Sequence, residues 1–216
     1  MTYKAVIFDL DGTLVNSIKD IADAMNVVLQ KRNYPTYDYD TYKTFVGSGV
    51  KSLVVKALPQ NKTNETEVNT CLSDMMQVYS ACCTNKTAPY QGILKLLDTL
   101  HAKGLKLAIL SNKEDGLTKK VATALLPKYI QPVLGLKEEA LKKPNPKVLL
   151  QLCETLNVKP NEAIYIGDTD VDILVAKNAN TLAVGVSWGF RDPQELIAQG
   201  ADYMLQTPED LLELVC

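Results

Sequence analysis

The sequence predicts an α/β fold, a parallel sheet with helices on both faces, with an α-helical segment inserted after the first strand. Three features point to it. Short apolar runs recur along the chain, each the length of a strand buried on both faces. Helical patterns of about 10–15 residues separate the later runs. Between the first run and the rest lie roughly 70 residues that carry helical periodicity and no convincing strand.

Residues 3–8 form the first run, which ends in the turn-like Asp11-Gly12-Thr13. In the insert, Ser17 and Asp20 read as a capping box opening a helix whose apolar face carries Ile18, Ile21, Ala22, Met25, Val28 and Leu29. Val50, Leu53, Val54, Ala57 and Leu58 repeat the helical spacing, and residues 66–83 repeat it more weakly. Ile93, Leu97 and Leu100 share a face ahead of the second strand, residues 105–110. Leu117, Val121 and Ala124, then Val148, Leu152 and Leu156, form two more stripes before a strand at 163–166. Residues 181–186 read as a further strand and 201–205 as a weaker one. The expected organisation is a Rossmann-like core of residues 1–14 and 88–216, with a helical subdomain of residues 15–87. Its hinges fall near residues 14–17 and 84–91.

The chain has 216 residues, of which 46% are hydrophobic and 22% charged, and a net charge of -2. These are the bulk values of an ordinary soluble globular protein. Near-balanced charge gives no general attraction to nucleic acid or an anionic membrane, so any basic site for an anionic ligand must be local. The five cysteines (Cys71, Cys82, Cys83, Cys153, Cys216) show no metal-ligand spacing and read as reduced thiols. No signal peptide and no uncharged span of about 18 residues is present, so a cytoplasmic location is expected.

The sharpest local feature is Asp9-Leu10-Asp11-Gly12-Thr13-Leu14. Side chains of an extended segment alternate, so Asp9 and Asp11 project to the same side. They sit past the carboxyl end of a strand, where ligands bind in open α/β sheets. One carboxylate there can attack phosphorus while the other moves a proton; the alternative is a solvated turn. A second acidic cluster, Gly167-Asp168-Thr169-Asp170-Val171-Asp172, follows the strand at 163–166. Placed beside Asp9, Asp168 would complete a set of hard oxygen ligands suited to magnesium. Asp168 and Asp172 are four apart and would share a helix face, although helix capping explains the cluster equally well. Ser111 and Asn112 end the strand at 105–110, and Lys143 lies in a loop stiffened by Pro144 and Pro146. Ser111 can hold phosphate or cap a helix; Lys143 can be held in place or be solvated.

In these residues the chain resembles the haloacid dehalogenase superfamily of phosphatases over essentially its whole length. The family's first motif, D-x-D-G-T, matches Asp9, Asp11, Gly12 and Thr13. Its second-motif Ser/Thr matches Ser111, its lysine matches Lys143 within K-P-x-P, and its acidic fourth motif matches Gly167, Asp168 and Asp172. The resemblance implies an aspartyl-phosphate formed on Asp9, with Asp11 as acid and then base. It implies Mg2+ bound by the Asp9 and Asp168 carboxylates and the Asp11 backbone carbonyl. It also implies a phosphoryl site of Ser111, Asn112 and Lys143, with Thr13 and Asp172 in support and the insert as a helical cap.

A finer resemblance is to phosphoglycolate phosphatases. Gly47 and Gly49 match a G-x-G cap loop, and Trp188-Gly189-Phe190, Gly200-Ala201-Asp202 and Pro208-Glu209-Asp210-Leu211 match the tail. The two glycines would let backbone amides approach substrate, or merely hinge a helix. The resemblance implies a small phosphorylated substrate, 2-phosphoglycolate first. Pyrophosphate, sugar phosphates and nucleotides are alternatives, with a hexose-phosphate mutase or an idle binding protein further behind. No nucleic acid or membrane partner is expected, and the chain is read as a monomer or homodimer.

Overall fold

The computed structural model describes residues 3–215. The first strand, β1 (Ala5–Phe8), is buried throughout, with Val6 and Phe8 in one apolar cluster and Ala5 and Ile7 in another. Both faces are therefore covered, which is why its sequence runs apolar without alternation. Next come β2 (Val15–Asn16), then α1 (Ile18–Gln30), α2 (Tyr39–Phe45), α3 (Gly49–Ala57) and α4 (Glu65–Cys82), and the return strand β3 (Ala88–Pro89). The remaining elements alternate: α5 (Ile93–Ala102), β4 (Lys106–Glu114), α6 (Asp115–Leu125), β5 (Val133–Leu136), α7 (Lys147–Thr155), β6 (Ala163–Gly167), α8 (Asp170–Ala179), β7 (Leu182–Val186), α9 (Pro193–Ala198), β8 (Tyr203–Leu205) and α10 (Leu211–Leu214).

Six strands form one sheet in the order β5-β4-β1-β6-β7-β8, all pairs parallel. Apolar side chains of α5, α6 and α10 join the cluster on one face, and those of α7, α8 and α9 the cluster on the other. From β1 the chain crosses to β4 on one side and later returns to β6 on the other. That reversal opens a crevice at the carboxyl ends of the three central strands.

Two expectations change. Ser17 and Asp20 do not form a capping box: Ser17 makes no cap hydrogen bond, and its hydroxyl is the one buried side-chain polar atom without a partner among the described residues. Asp20 instead accepts from the Lys86 and Thr87 amides at 2.8–3.0 Å and from the Thr87 hydroxyl at 2.7 Å. It thus ties the start of the insert to its exit, beside the antiparallel pairing of β2 with β3. The second strand also runs past residue 110 to Glu114, because Glu114 pairs with Leu136 of the edge strand β5 after a break in register. Neither β5 nor α2 was expected. β5 is four residues long and contains a glycine, while α2 is buried by edge-to-face packing of Tyr37, Tyr42 and Phe45 rather than by an aliphatic stripe.

Candidate active site

Asp9 continues β1, its amide donating to the Ile166 carbonyl of the neighbouring β6 at 2.8 Å. The next residues turn sharply at Gly12, whose φ of +87° suits glycine, and the turn closes against Asp168. A Cβ at Gly12 would lie 2.1 Å from Asp168 Oδ2, and one at Gly189 would lie 2.2 Å from Asp168 Cβ. Both glycines thus let the chain close around this carboxylate. Asp168 accepts from the Thr13 hydroxyl at 3.2 Å and the Phe190 amide at 2.8 Å and is fully buried.

Lys143, only 3% exposed, reaches into the same crevice. Its Nζ donates to Asp9 Oδ1 at 2.7 Å, Asp172 Oδ1 at 2.6 Å and the Tyr165 hydroxyl at 2.9 Å. Asp172 is fully engaged: Oδ1 by Lys143 and Tyr165, Oδ2 by the Thr169 amide at 3.0 Å and hydroxyl at 2.6 Å. In this arrangement Asp172 orients Lys143. Asn112 holds the lysine's backbone, accepting from the Lys143 amide at 2.9 Å, and donates to the Gly47 carbonyl at 3.1 Å. Gly47 and Gly49, with φ of +109° and +81°, bring the insert onto Asn112 and line the same cavity as Asp9, Asp11 and Ser111.

Three participants escaped the sequence reading. Lys113 bridges Asp11, at 3.0 and 2.9 Å from its two oxygens, and the Tyr79 hydroxyl of α4 at 2.5 Å. The alternation that paired Asp9 with Asp11 also pairs Ser111 with Lys113 in an extended segment, so Lys113 was within reach of the same rule. Tyr165 carries a phenol into an otherwise aliphatic strand, which itself calls for a buried polar partner. Tyr79 had no such signal. His101 lies at the exposed end of α5, stacked on Tyr129 at 4.0 Å between centroids, and takes no part.

Charge decides what this site can hold. Four carboxylates (Asp9, Asp11, Asp168, Asp172) face two ammonium groups (Lys113, Lys143), leaving two negative charges in excess when all are ionised. Burial pushes Asp9 up to about 7, although Lys143 opposes the shift, and burial with Asp172 and Asp9 nearby pushes Asp168 far up. Burial alone would lower Lys143, but Asp172 and Asp9 overcome it and raise its pKa. Oxygens of Asp9, Asp168 and Asp172 lie within 4.8 Å of one another. Asp172 meets the Lys143 ammonium and is further engaged by Thr169 and Tyr165, whereas Asp168 meets only a neutral hydroxyl and an amide. The Asp9 and Asp168 carboxylates are therefore the ligands available. Hard oxygens with two uncompensated charges fit a divalent cation.

Four of the cysteines, Cys71, Cys82, Cys83 and Cys153, are free thiols, and none belongs to the acidic cluster; Cys216 lies outside the described residues. No helix among the described residues is long and apolar enough to cross a membrane.

Comparisons with known proteins show the family. The family model of haloacid dehalogenase-like hydrolases matches residues 6–186. A phosphoglycolate phosphatase of Aquifex aeolicus is 35% identical, covering 98% of this chain and 96% of its own length. One from Psychrobacter arcticus is 34% identical over 91% and 88%. The crystal structure of a candidate phosphoglycolate phosphatase from Lactobacillus delbrueckii subsp. bulgaricus superposes with a TM-score of 0.93 at 31% identity, over 100% of this chain and 99% of that one. With the fold, the ordered motifs and this full-length likeness in agreement, the chain belongs to the haloacid dehalogenase-like hydrolases.

Proposed function

We propose that the protein is a magnesium-dependent phosphomonoester hydrolase acting through an aspartyl-phosphate, with 2-phosphoglycolate as its substrate. The observation that carries the mechanism is Asp9. One of its oxygens is held by Lys143, the other has no hydrogen bond among the described residues, and Asp11 projects from the same turn. In the first half-reaction, the free oxygen of Asp9 attacks phosphorus and the bond to the ester oxygen breaks. Asp11 gives its proton to the departing alkoxide. In the second, Asp11 takes a proton from the water that attacks the same phosphorus, and the Asp9–phosphorus bond breaks. Lys143, the Ser111 hydroxyl and backbone amides near Leu10 and Asn112 hold the phosphoryl oxygens throughout. Magnesium on Asp9, Asp168 and the Asp11 carbonyl would supply the further positive charge that phosphoryl transfer needs.

The names borne by the full-length relatives support the substrate. The Asp20 clamp and the β2–β3 pairing support reading residues 15–87 as a cap on a core of residues 1–14 and 88–216. The same reading places the protein in the cytoplasm, as a monomer or homodimer.

The test is phosphate release from 2-phosphoglycolate, pyrophosphate, sugar phosphates and nucleoside monophosphates, with magnesium and then with chelator. Chelator-sensitive release with 2-phosphoglycolate preferred is the expected result. Release that favours another substrate would overturn the substrate, and no release from any would overturn the hydrolase itself.

A further inference from the structure

We propose that Lys113, presented with Tyr79 of α4, is the residue that selects substrates carrying a second anionic group next to the ester carbon. The inference rests on the phosphatase reading and adds to it the residue that sets specificity. Lys143 does not serve this purpose, because it is turned toward Asp9 and Asp172. Beyond the phosphoryl position, the cavity wall is mainly apolar, with Val50, Leu53, Met75, Met76 and Leu117. The further carboxylate in the lining, Glu114, is engaged by the Leu117 amide at 2.8 Å. Lys113 is the cation in that lining, and its side chain is only 6% exposed. An ammonium left in such surroundings is costly unless an anion meets it. Here Asp11 does so, with both oxygens on the same Nζ.

Two further observations point outward, to a ligand. The Tyr79 hydroxyl is buried in the cavity wall, and the one hydrogen bond it makes among the described residues is accepted, from Lys113. Its own O–H remains to be donated, and the ammonium lies 4.6 Å from its ring centroid. Asp11 is the group proposed to protonate the departing oxygen, so whatever touches Asp11 lies beside that oxygen's substituent. A carboxylate on the ester-bearing carbon is two bonds from the departing oxygen. It can therefore accept from Lys113 Nζ and Tyr79 Oη together while Asp11 gives up one of its contacts.

The test compares kcat/KM for 2-phosphoglycolate with that for 2-hydroxyethyl phosphate, which replaces the carboxylate by a neutral alcohol of similar size. Hydrogen bonds to a charged partner predict a wild-type preference of about 10- to 100-fold for the carboxylate. In Lys113→Met the ratio should fall toward one, whatever happens to the absolute rates, while Lys113→Arg should keep most of it. A wild-type ratio near one, or an undiminished ratio in Lys113→Met, would overturn the assignment. If the methionine variant does not fold, Tyr79→Phe reads the same site: loss of the phenol O–H should lower the ratio, and an undiminished ratio there would overturn the assignment. Magnesium-dependent release from both esters at equal efficiency would sink this inference and spare the hydrolase; release from neither would sink both.

Discussion

Lys143 Nζ and Asp9 Oδ1 lie 2.7 Å apart although 134 residues separate them in the chain. The same ammonium touches Asp172 at 2.6 Å, so it bridges the strand β1 carboxylate and one from the helix after β6. Removing it leaves two buried carboxylates unbridged, the situation in which breaking a buried pair is most damaging.

Lys143→Met should therefore lose about 3–5 kcal/mol of stability in urea denaturation and at least about 100-fold in phosphate release. A variant of unchanged stability would show that the bridge does not form.

Asp9 and Asp11 should fail differently. Asp9→Asn is expected to release no phosphate and to trap no hydroxylamine-sensitive phosphoprotein. In kcat/KM, which reports the steps through departure of the alcohol, Asp11→Asn should slow alkyl phosphates by about 100-fold or more, and slow p-nitrophenyl phosphate much less, since that leaving group needs no proton. Equal losses on the two esters would argue against Asp11 as the acid.

Gly189→Ala tests how Asp168 is held. A Cβ placed 2.2 Å from Asp168 Cβ forces the carboxylate or the loop to move, at roughly 1–3 kcal/mol for an overpacked site. Magnesium should then raise the melting temperature less than it does in the wild type. An equal rise in both would mean that Asp168 does not need this close approach.

The metal-free protein should be pH-sensitive in a particular direction. Asp9 titrates near 3.8 in an unfolded chain and at about 7 in the fold, because burial disfavours its charge. The folded state then binds more protons over that window. This group's contribution to stability is complete below 3.8 and is lost as pH rises through about 7. A divalent cation that takes the place of the proton reverses the penalty, so the stabilisation by magnesium should grow between pH 5 and about 7. Calorimetric melts across that range, with magnesium and with chelator, would show it. A magnesium effect that is flat with pH would remove Asp9 from the ligand set.

Much of this was legible in the chain itself, and for a local reason. β1, β6 and β7 lie inside the sheet with both faces covered, so each must be apolar throughout and stands out as a run. A carboxylate just past such a run stands out at once, as Asp9 and Asp11 do after β1 and Asp168 does after β6. β5 was missed because an edge strand of four residues with a glycine carries too little pattern, and the true length of β4 depends on that neighbour. The Ser17–Asp20 pair matched a capping box in spacing, yet Asp20 turned to Lys86 and Thr87, partners more than 60 residues away that no local rule contains.

By itself, then, the sequence determined the α/β class and the places where acidic residues follow core strands, because strand burial and strand-end chemistry are written in consecutive residues. Which carboxylate meets which cation was decided only in three dimensions. Lys143 looked like half of an ordinary surface pair until β1, β4 and β6 came together around it. Lys113 acquired Tyr79 only when α4 folded over the strand end. Both outcomes depend on burial, which changes the free energy of a charge far more than its neighbours along the chain do.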